Sequence, residues 1–174
     1  MELEILKWIQ AVFSNEFLDQ FFITFSSFGD WGQIWIVLII ILLINKKTRK
    51  LGALMAISLI AEFILNDHIL KPLIARARPF EVYDVALILE TPTSYAFPSG
   101  HTASSFAVVM VAVFKNYRYK VPLVLLASLM AFSRLYLFVH WPTDILGGIV
   151  VGTLVAFIVV KIDEKRTQGA VAST

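Results

Sequence analysis

The chain has 174 residues, of which 58% are hydrophobic and 16% charged, and its formal net charge is +2. Soluble domains are usually about 45–50% apolar and about 25% charged, so this composition argues against a soluble domain and favours a membrane protein. The low net charge, without a basic stripe, argues against a nucleic-acid partner, and the absence of cysteine excludes disulfides and thiolate metal sites.

The apolar segments predict an all-α fold, an integral membrane bundle of six helices. The first helix is expected to be broken at Ser14-Asn15 into an amphipathic part, 2–13, and a second part, 16–29. The other five are expected at 31–46, 50–71, 100–115, 119–138 and 143–163. Their charge-free runs are shorter than the ~20 residues that cross a bilayer, so aromatic and basic side chains should extend the spans at their ends.

The chain is predicted to form a single membrane-embedded domain, residues 1–174. Its core is expected at 16–163, followed by a disordered cytoplasmic tail at 164–174. The N-terminus has no cleavage pattern and does not resemble a removable signal peptide.

The distribution of Lys and Arg predicts the orientation. Eleven of the fifteen cations belong to Lys7 and to the segments 46–50, 115–120 and 161–166, which six spans would place on one side. The positive-inside rule makes that side cytoplasmic, with both termini on it and the protein in the cell membrane. The remaining four cations lie on the outer side and need a separate reason: Lys71, Arg76, Arg78 and Arg134.

The same topology gathers a set of polar side chains on the outer face. Its members are Lys71, Arg78, Ser99, His101, Arg134, His140 and Asp144. Ionisable groups near membrane depth are costly and usually functional. Lys and Arg bind phosphate oxygens, and the predicted helix start at 100 offers backbone N–H groups to an anion. The pattern therefore predicts a site for a dianionic group such as phosphate.

The two histidines predict acid–base chemistry beside that anion. Asp144 lies four residues after His140, close enough to orient the ring and to stabilise an imidazolium if the other nitrogen attacks phosphorus. His101, next to the anion, could give a proton to the leaving oxygen, which is typically worth ~10²–10⁴ in rate.

These residues resemble three motifs of one enzyme family. Lys71 with Arg78-Pro79 matches K-x6-R-P, residues 98–101 match P-S-G-H, and Ser133-Arg134 with His140 and Asp144 match S-R-x5-H-x3-D. The chain resembles the type 2 phosphatidic-acid phosphatase superfamily of integral-membrane lipid phosphatases. The motifs span residues 71–144, and the helical plan extends the resemblance over nearly the whole chain.

The resemblance implies a phosphatase that needs no metal or other cofactor. His140 would be the nucleophile that forms a phosphohistidine, Asp144 its partner and His101 the general acid. The phosphate would be bound by Lys71, Arg78, Ser99, Gly100 and Arg134.

The implied partners are membrane lipids and a phosphorylated lipid substrate. Undecaprenyl diphosphate is the leading candidate, because the small size and outer site resemble bacterial members that recycle the cell-wall carrier lipid. Phosphatidylglycerol phosphate, phosphatidic acid and a lipid A phosphate remain alternatives, and the 80–97 loop is a candidate for that choice. A different class also remains, a non-catalytic membrane protein that binds or transports phospholipid. The related soluble acid phosphatases and haloperoxidases do not fit the hydropathy.

The sequence leaves the roles of three further polar residues open between alternatives. Arg76 could bind a second phosphate or lie at the lipid headgroups. Glu62 could hydrogen-bond a neighbouring helix or support the phosphate site, and His68 is expected to cap or snorkel at a helix end rather than to catalyse.

Overall fold

The structure, a computed structural model, describes residues 1–83, 85 and 87–172, and within them it is helical with no strand. Nine helices are present in this part of the chain: α1 (Glu2–Phe13), α2 (Glu16–Ser27), α3 (Gln33–Ile44), α4 (Arg49–Leu65), α5 (Lys71–Ile74), α6 (Pro79–Val82), α7 (Gly100–Phe114), α8 (Lys120–Tyr136) and α9 (Pro142–Ala172). A 3₁₀ turn, Asp30–Gly32, precedes α3, and a π-helical turn, Asn66–Leu70, joins α4 to α5.

The expected count of six helices, with a single broken first helix, is not confirmed. Seven helices of twelve or more residues occupy the described part of the chain, because α1 and α2 are separate helices. The side chain of Asn15 starts α2 by accepting a hydrogen bond from the Leu18 N–H at 3.0 Å. The last helix continues to Ala172, so residues 164–172 of the expected disordered tail are helical, and residues 173–174 lie outside the described residues.

By length and composition, two segments of the described chain can cross a membrane, or three if one bent pair of helices forms a single span. The segments Arg49–Val82 and Pro142–Gly169 are long and apolar enough to cross a bilayer. The pair Glu16–Ser27 and Asp30–Ile44 reaches that length only together and is bent by 53°, while Gly100–Phe114 is apolar but shorter.

Helix α7 is the centre of the bundle and packs most extensively against α9. Two glycines make this contact close: a Cβ at Gly148 would lie 2.8 Å from the Ser99 carbonyl oxygen, and one at Gly152 would lie 2.3 Å from the Ala103 carbonyl oxygen. Ala156, one turn further on, is fully buried. Small residues four apart therefore bring the start of α9 against the start of α7.

The bundle has two chemically different ends. We call the end that carries Lys71, Arg78, His101, Arg134 and His140 the histidine end, and the end at which Lys50 and Lys115 contact Asp163 the lysine end.

The expectation that both termini share one side is wrong. Glu2 contacts Arg76 and Thr143 at the histidine end, whereas α9 passes Asp163 at the lysine end on its way to the C-terminus. A helix of twelve residues is ~18 Å long, too short to cross a bilayer core of about 30 Å. Helix α1 instead buries Leu6 and Ile9 against residues at the histidine end and stays there.

Candidate active site

His140 lies in the connection between α8 and α9 and is almost completely buried, at 2% exposed. Its Nδ1 is 3.4 Å from the Oδ2 of Asp144, which lies on the first turn of α9 and is fully buried. The backbone N–H of Trp141 donates to the same Oδ2 at 2.8 Å. The carboxylate is thus held against one ring nitrogen, and the other nitrogen, Nε2, points away from it.

Arg78 faces that second nitrogen. Its Nη1 is 3.3 Å from the Nε2 of His140 and donates to the Val139 carbonyl oxygen at 2.8 Å. Its Nε and Nη2 donate to the carbonyl oxygen of Ser94, at 2.7 Å, and to its hydroxyl, at 3.1 Å. The guanidinium is therefore fixed beside the ring nitrogen that does not face Asp144.

The start of α7 supplies the next part of the site. Ser99 is the residue before the helix, but its hydroxyl accepts from Thr102 at 3.1 Å instead of capping, and its N–H donates to the Asp144 carbonyl oxygen at 3.1 Å. A Cβ on Gly100 would lie 3.1 Å from the Lys71 Nζ. The missing side chain lets the ammonium and the helix N-terminus share one space. Lys71 Nζ contacts Asp67 at 2.5 Å.

Arg134 and His101 form the other wall. The Arg134 Nη1 donates to the Ser26 hydroxyl, and its buried Nε has no hydrogen-bond partner among the described residues. His101 Nε2 is 3.0 Å from Asp30 Oδ1, an ion-pair distance at which the N–H is not aligned for a regular hydrogen bond. Asp30 belongs to the 3₁₀ turn before α3 and is a site residue that the sequence analysis missed.

Electrostatics favours a neutral His140. Burial, together with the positive charges of Arg78 and Arg134, lowers the pKa of His140 well below its ordinary value. The ring is therefore uncharged near pH 7, with a lone pair available on one nitrogen.

A cavity of about 850 Å³ connects these groups. Six of the eight predicted site residues line it: Lys71, Arg78, Gly100, His101, Arg134 and His140. Ser99 and Asp144 lie behind them, fully buried. Residues 89–94 of the 80–97 loop line another side. Within the described part of the chain, no group of three or more His, Asp or Glu side chains is placed to hold a metal ion.

The far wall of the cavity is apolar and comes from α3 and α4. It contains Ile36, Ile40 and Ile60, whose side chains are also exposed on the outside of the bundle. A polar pocket thus continues into an apolar surface at the side of the protein. This combination suits a molecule with a charged head and a hydrocarbon chain.

The structure gives the contacts of His68, Glu62 and Arg76, the three polar residues whose roles the sequence left open. His68 is exposed and packs edge-to-face on Phe63, 5.0 Å between ring centroids. Glu62 lines the cavity, and its Oε1 has no hydrogen-bond partner among the described residues, so the expected bond to a neighbouring helix is not found for that oxygen. Arg76 contacts Asp144 instead of the cavity. No role was predicted for Glu2 or Asp67. Glu2 reaches Arg76 from a distant segment, whereas the four-residue spacing from Asp67 to Lys71 is a helical signal that could have shown their contact.

Comparison with known proteins gives the family. The PAP2 superfamily pattern matches residues 47–168. An undecaprenyl-diphosphatase of Sulfolobus acidocaldarius is 34% identical over 133 residues, which are 75% of this chain and 64% of that protein. An undecaprenyl-diphosphatase of Bacillus subtilis is 29% identical over 91% of this chain and 82% of its own length. The chain thus spans just under two thirds of the first relative.

A solved structure shows the same fold. The crystal structure of a transmembrane PAP2-type phosphatidylglycerolphosphate phosphatase from Bacillus subtilis matches with a TM-score of 0.75 and 28% identity, covering 93% of this chain and 84% of that one. The candidate membrane spans agree with this likeness, so the protein is a membrane protein. The match to the family pattern extends over more than half of the chain, and it confirms the predicted family and the phosphatase class that goes with it: this chain belongs to the PAP2 superfamily.

Proposed function

We propose that this protein is a lipid phosphate phosphatase that works through a phosphohistidine and hydrolyses undecaprenyl diphosphate to undecaprenyl phosphate and inorganic phosphate. The observation that carries the proposal is a buried His140 that lines a cavity with an apolar side wall, with its Nδ1 facing Asp144 and its Nε2 3.3 Å from the Arg78 Nη1. The names of the two undecaprenyl-diphosphatase relatives support the choice of substrate.

In the first step, the His140 Nε2 attacks the terminal phosphorus and the bond from phosphorus to the bridging oxygen breaks. Asp144 stabilises the positive charge that develops on the ring, because its carboxylate already faces Nδ1. Lys71, Arg78 and Arg134, with the Ser99 hydroxyl and the Gly100 N–H, hold the three outer phosphoryl oxygens.

His101 protonates the leaving oxygen, and Asp30 beside it stabilises the charged imidazolium that donates this proton. Water then attacks the phosphorus of the phosphohistidine, with His101 accepting its proton. The nitrogen–phosphorus bond breaks, inorganic phosphate leaves and His140 is restored.

The cations around the cavity do the electrostatic work that a metal ion does in other phosphatases. We therefore expect a chelator such as EDTA to leave phosphate release unchanged. Loss of activity that returned only with added Mg²⁺ would contradict this.

The proposed location is the cell membrane, with the lysine end in the cytoplasm and the histidine end outside. Three basic segments, 46–50, 115–120 and 161–166, support this orientation by the positive-inside rule, while the N-terminus belongs to the outer end. The whole chain, residues 1–174, is proposed to act as one domain.

The test is a turnover panel with purified protein in detergent and in liposomes. The four substrates are undecaprenyl diphosphate, phosphatidylglycerol phosphate, phosphatidic acid and a lipid A phosphate, and His140→Ala is run beside the wild type. We expect the fastest phosphate release from undecaprenyl diphosphate and at least a ~10³-fold loss in the variant. Faster release from phosphatidylglycerol phosphate would overturn the substrate. No release from any of the four would favour a non-catalytic lipid-binding protein.

A further inference from the structure

The guanidinium of Arg76 contacts protein groups close to His140, and Asp144 is one of them. Its Nη1 donates to the Asp144 Oδ1 at 2.6 Å and to the Thr143 hydroxyl at 2.6 Å, while its Nη2 is 2.7 Å from a Glu2 carboxylate oxygen. The guanidinium also lies 5.4 Å from the centre of the Trp141 ring. With these contacts in place, Arg76 faces the back of the site and does not line the cavity that would hold phosphate.

Glu2 completes this network from the N-terminal helix. One carboxylate oxygen accepts from the N–H of Thr143 at 3.0 Å and from its hydroxyl at 2.7 Å, and the other faces Arg76. Partial burial raises the pKa of Glu2, but the hydrogen bonds from Thr143 and Arg76 outweigh it and hold that pKa below its ordinary value. Glu2 therefore stays ionised at neutral pH.

Apolar contacts hold α1 in the position that this network needs. Leu6, one turn after Glu2, is fully buried in a cluster with Phe138, two residues before His140, and Trp141, directly after it. The Trp141 Nε1 donates to the Ala77 carbonyl oxygen at 3.0 Å, which ties the same connection to the loop that carries Arg76. Three separate segments thus meet behind His140.

The charges explain why Asp144 needs this support. Asp144 is fully buried, and a buried carboxylate without a partner is strongly destabilising. Its Oδ2 serves Trp141 and His140, so Arg76 is the partner of its Oδ1. A guanidinium held in turn by Glu2 has a fixed plane, and the fixed plane sets the rotation of the Asp144 carboxylate toward the His140 Nδ1.

We propose that Arg76 and Glu2 are positioning residues: the N-terminal helix, through Glu2, holds Arg76 against Asp144 and so keeps His140 oriented for attack. This rests on the proposed function, because it assumes that His140 is the nucleophile. In this proposal α1 supports the active site and does not cross the membrane. Arg76 binds Asp144 and does not bind a second phosphate.

The experiment measures kcat and KM for phosphate release from undecaprenyl diphosphate. The variants are Glu2→Gln, Arg76→Gln, Arg76→Lys and the double variant Glu2→Gln/Arg76→Gln. The matched control is Glu4→Gln, which removes an exposed carboxylate two residues away on the same helix. A melting temperature in detergent for every variant separates loss of fold from loss of orientation.

We expect Arg76→Gln to lower kcat by about 10- to 100-fold, a range typical of side chains that orient a catalytic group, with KM changed by less than about threefold. Arg76→Lys should recover part of kcat. Glu2→Gln should lower kcat by about 3- to 10-fold in the wild type and by less than about twofold in the Arg76→Gln background, because Glu2 acts through Arg76. Glu4→Gln should match the wild type.

A rise in KM at unchanged kcat would overturn the proposal and favour phosphate binding by Arg76. Additive effects of the two changes, or an equal loss in Glu4→Gln, would also overturn it. A wild type that hydrolyses none of the four lipid phosphates would count against the proposed function itself, whereas an active wild type with a fully active Arg76→Gln variant would count against this inference alone.

Discussion

The two ends of α9 carry the same kind of ion pair in opposite surroundings. At the histidine end, the fully buried Asp144 faces Arg76 at 2.6 Å and His140 at 3.4 Å. At the lysine end, Asp163 faces Lys50 at 2.8 Å and Lys115 at 2.9 Å, but the Lys50 side chain is 63% exposed. Exposed pairs are screened by water and salt and contribute about 0–1 kcal/mol, whereas a buried charge depends on its partners. Burial therefore distinguishes the site from an ordinary surface ion pair.

The same contrast applies to the cations. Lys71, Arg78 and Arg134 are 7%, 3% and 5% exposed and converge on one cavity. At the lysine end the exposed cations lie in the segments that the positive-inside rule places at a membrane surface. The energetic cost of burying three cations is tolerated where a bound anion can offset it.

The two ends of α9 should differ most in how strongly kcat falls when the carboxylate charge of Asp144 or of Asp163 is removed. Asp144→Asn should lower kcat by about 10²–10⁴-fold, because the amide can neither stabilise a charged His140 nor pair with Arg76. The measurement is phosphate release from undecaprenyl diphosphate at saturating substrate. A variant with more than a tenth of wild-type kcat would show that Asp144 is no more than a structural partner.

An added methyl group on α9 should also destabilise the protein more near the histidine end than beyond the lysine end. Gly152→Ala places a Cβ 2.3 Å from the Ala103 carbonyl oxygen and should destabilise the protein by about 1–3 kcal/mol, a fall of several degrees in Tm. Gly169→Ala, beyond the lysine end, meets nothing within 4 Å and should be neutral or stabilising by up to ~1 kcal/mol. Thermal melting in detergent measures both. Equal Tm values would mean that α7 and α9 are not in close contact.

The pH profile of kcat/KM reports on the histidine end alone. His140 must be neutral to attack, and its pKa is lowered, so it gains a proton only well below its ordinary value of about 6.5. We expect activity to persist as the pH falls through 6.5, with the midpoint of the acid limb below that value. The substrate phosphate also titrates near pH 6. Its pKa is therefore measured separately, and the pH profile is corrected for the ionisation of the substrate. A midpoint above 6.5 would contradict a lowered pKa.

The smallest effect is expected at the lysine end. Asp163→Asn should change kcat by less than about twofold and stability by less than about 1 kcal/mol, because its partners are partly solvated. The same assays and melting curves apply. A loss comparable to that of Asp144→Asn would mean that the two ends of α9 are coupled, and the comparison between them would no longer hold.

Much of the site was predictable because its members lie in short motifs. His140 and Asp144 are four residues apart at a helix start, so helical spacing alone brings them together. Counting spans separated four cations from the other eleven, Lys71, Arg76, Arg78 and Arg134, without showing that Arg76 differs from the rest. Asp30 and Glu2 were not predictable, since each reaches its partner from a distant segment with no repeating pattern to mark it.

By itself, the sequence determined that the protein is helical and membrane-embedded, and which polar residues belong together, because hydropathy and motif spacing are local properties of the chain. Only the tertiary structure decided where the N-terminal helix lies and what Arg76 does. An amphipathic pattern shows that one face of α1 is buried but not against which surface, and a cation near a phosphate site can equally face the anion or a buried carboxylate. Those choices depend on contacts between Glu2, Arg76 and Asp144, which are far apart in the sequence.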